Sequence, residues 1–256
     1  MPASPIHHPT QATFPGPPDK PAPIIAPEGL PIVIGFIVGA LVLSALAAWL
    51  SPIAGVVVGV ATGVLCLWCI WFFRDPPRKI PGSGTAGTPI ISPADGVVSF
   101  VGQAPVPPEL GLPGDQTAGL TRVSVFMNVF NVHVNRSPLA GVVEKTLYTP
   151  GKFFNASFDK ASEHNERLSL VLDTDAGPRL ICVQIAGLIA RRIVCRVKPG
   201  DRLDAAERFG LIRFGSRVDV FLPAGVASSL KIGDRSVAGE TVLGWLPAAG
   251  DQKAGS

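Results

Sequence analysis

Hydrophobic and polar positions are arranged in two different ways along this chain. From Gly29 through Phe73 every side chain is uncharged and nearly all are apolar. From Pro89 onward the apolar residues come in short runs, several with the period-two alternation of half-buried strands. The first pattern predicts two helices, Pro31 to Leu50 and Ile53 to Phe73, separated by the turn signal Ser51-Pro52. Each has about the 20 residues needed to cross a hydrocarbon core. The second pattern predicts strands at Gly96 to Val101, Thr121 to Met127, Val142 to Tyr148, Leu168 to Asp173, Leu180 to Ile185, Ile193 to Val197 and Val218 to Leu222. Short helices are expected around Phe153 to Asn165 and Asp204 to Arg208.

The expected fold class is therefore mainly β (α+β). A compact β sandwich or partly open barrel, residues 74–256, follows an N-terminal transmembrane helical hairpin, residues 31–73. Residues 1–30 carry nine prolines and no apolar period, which predicts a disordered tail. Trp49, Trp68 and Trp71 fall where interfacial aromatics belong. Arg74, Arg78 and Lys79 directly follow the second span, so the positive-inside rule places the C-terminal domain on the cytoplasmic face of the cell membrane.

Composition narrows the function classes. The chain has 256 residues with 22 Lys+Arg against 19 Asp+Glu, a net charge of +3 that is too small for a nucleic-acid surface. The four cysteines, two of them in the apolar stretch, read as reduced thiols. His7 and His8 read as solvated, and Cys66 with Cys69 as apolar packing. No metal cluster, phosphate-cradling loop or dinucleotide fingerprint is present in the sequence.

Three segments place polar groups among apolar strands: Ser92-Pro-Ala-Asp95-Gly96, Phe130-Asn-Val-His133-Val-Asn135-Arg136 and Arg213-Phe-Gly215-Ser216-Arg217-Val-Asp219. Singly, each has a structural reading as a turn, a core histidine or a loop dipeptide. Together, Asp95, His133 and Ser216 supply the parts of a nucleophilic triad. The Gly-x-Ser-x-Gly elbow of many hydrolases is absent around Ser216. A membrane-anchored serine hydrolase and a non-catalytic tethered β domain both fit the residues at this point.

These segments, with Pro150-Gly-Lys152-Phe, Asp159 through Arg167 and Lys198 through Pro223, closely resemble the phosphatidylserine decarboxylase family in its short bacterial and archaeal subclass. The resemblance covers nearly all of Arg74 to Trp245. It implies a proenzyme that cleaves itself between Gly215 and Ser216, giving a β chain of residues 1–215 and an α chain of residues 216–256 that stay associated. His133, oriented by Asp95, would deprotonate Ser216, whose oxygen attacks the Gly215 carbonyl. β-Elimination would then leave a pyruvoyl group at position 216 as the cofactor, with no pyridoxal phosphate and no metal. That group would form a Schiff base with phosphatidylserine in the membrane, and loss of carbon dioxide would give phosphatidylethanolamine in phospholipid biosynthesis. A homo-oligomer is compatible with the sequence.

Longer members of the family carry a second histidine three residues before the triad histidine, where this chain has Phe130. His133 acting a second time is the first candidate for proton return, ahead of Asn135 and His164. Arg136, Lys152, Arg191 and Arg192 are the basic candidates for meeting the lipid phosphate.

Overall fold

A computed structural model describes residues 24–82, 87–114, 117–154, 156, 164–188, 192–213 and 215–247. The apolar stretch folds as two helices, α1 (Leu30–Leu50) and α2 (Pro52–Phe72). Each begins with proline in its first turn, where the missing N–H costs nothing, and Ser51 between them is extended. Both are long and apolar enough to cross a membrane, and only 6% and 11% of their most apolar windows are buried within the protein. Exposed Leu41, Leu46, Val56, Val60 and Leu67 leave apolar flanks that match a lipid environment rather than water.

The remaining chain is antiparallel β. Its main sheet has eight strands in the order β12 (Arg235–Ser236), β2 (Gly96–Gln103), β3 (Thr121–Met127), β11 (Ser216–Leu222), β7 (Arg179–Ala186), β6 (Arg167–Thr174), β5 (Gly141–Thr149) and β9 (Arg202–Leu203). The sheet curls into a half-barrel. A three-stranded sheet, β4 (Val134–Arg136), β10 (Arg208–Ile212) and β8 (Ile193–Cys195), accompanies it. A two-stranded ribbon joins β1 (Thr88–Ile91) to β13 (Val242–Leu246). All seven expected strands form.

Alternation along the central strands sorts side chains between two apolar clusters. Val218, Val220 and Leu222 enter the larger one with Val123, Val125, Cys182 and Phe209. Phe221 enters a second cluster with Ile181, Val183, Ile185 and Leu110. Both faces of the central strands are covered, and every residue of β11 is buried.

Two expectations require correction. Asp204 to Arg208 is no helix: Ala206 adopts φ 63 in a turn, and Arg208 opens β10. The polar, alanine-containing run looked helical, but pairing of β10 with β4 and β8 overrides that weak preference. The end of the Pro-rich stretch is also ordered: Ala26 is buried, Asp75 N–H donates to Ile24 O at 2.9 Å, and Glu28 pairs with Arg196. Residues 1–23, and most of the helix expected at Phe153 to Asn165, lie outside the described residues.

The base of the hairpin is fixed to the β domain in two ways. Val33, Cys69, Phe72 and Phe73 cluster with Leu211 of β10. Just beyond α2, buried Asp75 receives Arg136 at 2.6 Å and Arg208 at 2.5 Å, both from the three-stranded sheet. Burial pushes the Asp75 carboxyl up, and the two guanidiniums oppose that shift. Removing one partner of such a group strands buried cations, at a typical cost of about 3–5 kcal/mol. Asp75→Ala is therefore expected to lower unfolding stability of the detergent-solubilised chain by about that amount. A loss under about 1 kcal/mol would show that the cluster does not hold the hairpin.

Candidate active site

The site forms where β11 starts. Ser216 is the first residue of that strand, paired with Met127 of β3 on one side and Ala186 of β7 on the other. It is fully buried, and its Oγ has no hydrogen-bond partner among the described residues. Gly215 precedes it with φ +67, a left-handed conformation that an L side chain would strain by roughly 1–2 kcal/mol. The Gly215 carbonyl in turn lies against Gly187. A Cβ built on Gly187 would stand 2.2 Å from the Gly215 oxygen. Glycine is thus required on both sides of this peptide, once for conformation and once for space.

His133 lies just before β4, buried, and meets this peptide from the side. Its Nδ1 is 2.9 Å from the Asn131 carbonyl oxygen. A carbonyl only accepts, so Nδ1 carries the proton and Nε2 keeps its lone pair. Nε2 accepts from the Gly215 N–H at 3.4 Å. Burial, reinforced by the positive charge of Arg74 and opposed by the bond to Asn131, pushes the imidazole pKa down to about 4. The group is therefore a neutral imidazole at ordinary pH, with its Nε2 lone pair on the Gly215 N–H, one residue before Ser216.

Asp95 is placed differently from expectation. The turn preceding β2 aims its carboxylate at Arg78, with Nη2 2.9 Å from Oδ1, and at the Ala238 N–H, 2.8 Å away. The contact that fixes the imidazole comes from the Asn131 carbonyl instead. Arg78 follows the hairpin closely in sequence, so Asp95 secures the linker beside the site, and its charge also acts on Arg74.

Of the basic candidates, Arg136 is committed to Asp75 and the Ala206 carbonyl. Lys152 is exposed, with its Nζ 5.9 Å from the Phe154 ring centre. Arg192 is exposed, and its carbonyl accepts from the N–H of Arg213, two residues before Gly215. Arg191 lies outside the described residues. His164 is exposed and packs edge-on to Phe154, with ring centres 6.4 Å apart.

Four further contributors escaped sequence reading. Besides Asn131 and Gly187, buried Gln184 shares the face of the sheet that carries Ser216, two positions away across the β11–β7 register. Its Nε2 donates to Asn135 Oδ1 at 2.8 Å, while its Oε1 has no partner among the described residues. Asn165 stitches the segment opposite, donating to Phe154 O and Ala186 O at 2.7 Å each. The signal for Gln184 was present: a polar side chain at an inward position of an apolar strand. Orphaned polar atoms on Gln184 and Ser216, deep in the protein, fit a small polar prosthetic group at position 216.

A dry, neutral imidazole beside a buried serine whose hydroxyl has no partner among the described residues defines the class, a β protein with a candidate active site at the start of a central strand. Residues 65–244 match the family model described as phosphatidylserine decarboxylase. Relatives named phosphatidylserine decarboxylase proenzyme include that of Beijerinckia indica subsp. indica, 52% identical over 86% of this chain and 88% of the relative. Those of Ruegeria pomeroyi, 56% identical over 70% and 79%, and Paramagnetospirillum magneticum, 51% identical over 84% and 84%, are similar. The chain belongs to the phosphatidylserine decarboxylase family.

The lowered pKa of His133 gives a stability prediction. The unfolded chain binds a proton near pH 6.5 that the folded chain refuses until about pH 4. Folding stability is therefore full above about 6.5 and falls as pH drops toward 4, by on the order of 3 kcal/mol. Denaturant unfolding of a His133→Gln variant is expected to lack that part of the acid slope; an identical slope in both chains would place the proton elsewhere.

Proposed function

We propose that this chain is a phosphatidylserine decarboxylase that builds its prosthetic group from Ser216. The observation that carries the reading is the Gly215–Ser216 peptide itself: buried at Ser216, left-handed at Gly215, free of Cβ obstruction at Gly187, and next to the unprotonated Nε2 of His133, which accepts the Gly215 N–H. In a chain of this family, that combination supports internal acyl transfer.

His133 Nε2 takes the Ser216 hydroxyl proton as Oγ attacks the Gly215 carbonyl carbon. The base already contacts the N–H of Gly215, the residue before the one that carries the hydroxyl. The same imidazole returns the proton to the Ser216 nitrogen as the C–N bond breaks, leaving an ester. Loss of the Ser216 Cα proton and rupture of the Cβ–Oγ bond then free a chain ending at Gly215. Water replaces the nitrogen of the remaining dehydroalanine, with ammonia released. The resulting pyruvoyl group supplies an electron sink for decarboxylation of an amino-acid headgroup.

After cleavage, His133 is held to return a proton at the decarboxylated carbon, a task that Phe130, exposed on the loop, cannot share. Gln184 and Asn135 present amide groups beneath position 216. Asp95 contributes by holding Arg78 and the Ala238 amide beside this site. Arg192 and Arg213, adjacent at the rim, are the cations available to a lipid phosphate, whereas Arg136 is used internally. The two apolar helices, followed by Arg74, Arg78 and Lys79, support a domain held on the cytoplasmic face of a cell membrane, where its lipid substrate is concentrated.

Carbon dioxide release from phosphatidylserine vesicles, coupled to intact-mass measurement, tests the reading. Active material is expected as two chains, the smaller beginning at position 216 with a blocked N-terminus. Ser216→Ala is expected to remain one inactive chain. Turnover by a single full-length chain would overturn the proposal.

A further inference from the structure

The hairpin reads as an anchor, yet the last turn of α2 reaches the base. Phe72, 1% exposed, lays its ring over the His133 imidazole with ring centres 4.2 Å and planes 32° apart. Phe73 packs against Phe72 edge-on at 4.9 Å, Trp68 lies 5.8 Å away, and Leu211 of β10 joins the same cluster, so the ring is held in place.

On either side of Phe72, the helix end grips the loop that orients the imidazole. Trp71 Nε1 and Arg74 Nη2 both donate to the Phe130 carbonyl, at 3.3 and 3.0 Å. Arg74 also covers the Trp71 ring at 4.0 Å and donates to the Trp71 carbonyl at 2.7 Å. The next residue after Phe130 is Asn131, whose carbonyl holds His133 Nδ1. Bonds from the Asn128 N–H to Asn131 Oδ1 and from the Phe130 N–H to Asn128 Oδ1, both 2.9 Å, close the loop on itself.

We infer that the last turn of the second membrane helix, through Trp71, Phe72 and Arg74, is a positioning element of the active site, holding His133 dry and in its Nδ1–H tautomer. The inference rests on the reading of His133 as the base. Three effects converge. The Phe72 ring excludes water from one face of the imidazole, and desolvation disfavours a second proton. Arg74 places a like charge nearby. The grip on Phe130 fixes the carbonyl that selects the tautomer. The other charged groups on the surrounding elements are Asp95 and Arg78, engaged with each other, Arg136 of β4 and Arg208 of β10, both on Asp75, Arg217 and Asp219 of β11, paired together, and Arg213 just beyond Ile212, whose N–H donates to His133 O. Membrane anchoring and proton chemistry therefore share one helical turn.

The test is the pH dependence of self-cleavage by the full-length chain, synthesised cell-free into phosphatidylcholine–phosphatidylglycerol vesicles and followed by intact mass. The wild-type rate is expected to stay level down to about pH 5, with its acid limb near 4. Phe72→Ala moves the limb toward the ordinary histidine value of about 6.5, so the rate at pH 5.5 falls roughly tenfold below that at pH 8. Phe72→Leu, which restores apolar cover, returns the limb toward the wild-type position. Arg74→Gln, which leaves the Phe72 ring in the sequence and removes the like charge, moves it upward and keeps the inference open to test even where Phe72→Ala does not fold. An unmoved limb in Arg74→Gln and in every Phe72 variant that folds, including a rate lowered equally at all pH values, would overturn the inference. Normal cleavage by His133→Ala would instead remove the base assignment beneath it.

Discussion

The contact on which the site depends is the 2.9 Å hydrogen bond from His133 Nδ1 to the Asn131 carbonyl. It spends the one proton of a neutral imidazole on the backbone and leaves the Nε2 lone pair to accept the Gly215 N–H. Elsewhere such a ring would take a second proton near neutral pH; here burial and Arg74 prevent it. The glycine pair completes the arrangement. Gly215 supplies the left-handed turn that presents its carbonyl, and Gly187 leaves the space that the carbonyl enters. His133 and Ser216 are carried by different sheets, just before β4 and at the start of β11, so the closure of the fold itself brings the imidazole to the Gly215 N–H.

Three charge clusters join pieces that apolar packing alone would leave loosely placed. Asp75 sits between the end of α2 and the strands carrying Arg136 and Arg208. Arg196 meets Glu28 just before α1, and Asp95 meets Arg78 in the linker. All three connect the membrane segment to the β domain. A flexible tether would need none of them. They make the hairpin a rigid part of the domain's surface, consistent with Phe72 lying on the imidazole.

Much of the fold was legible because it is written in local pattern. The charge-free stretch and Ser51-Pro52 define the hairpin, and alternation between glycines marks the seven longer strand runs. β1, β4, β9, β12 and β13 hold five residues or fewer, too few for alternation to stand out. β1 pairs with β13 across the full length of the domain, a pairing that no local window contains. Asp204 to Arg208 misled because its composition suits a helix, whereas the demands of β10 on both neighbours decide the outcome.

The site divides the same way. His133, Gly215 and Ser216 stood out because polar residues interrupt apolar strands, and their ordered motifs resembled one family. The role of Asn131 was not legible, because it acts through a backbone carbonyl that every residue possesses. Gly187 acts through an absent side chain, and Phe72 through a contact between segments about 60 positions apart. Gln184 could have been found from its inward position in a strand. Asp95 was singled out from sequence as a candidate carboxylate, but its partners, Arg78 and Ala238, are set by how the linker returns to the domain.

Everything rests on an unprotonated His133 Nε2 at the Gly215 N–H, beside the Gly215–Ser216 bond. Nitrogen NMR of the histidine-labelled, uncleaved Ser216→Ala chain in lipid nanodiscs at pH 7 measures this directly. The account predicts a neutral ring protonated at Nδ1 alone; an imidazolium, or a ring protonated at Nε2, would contradict it.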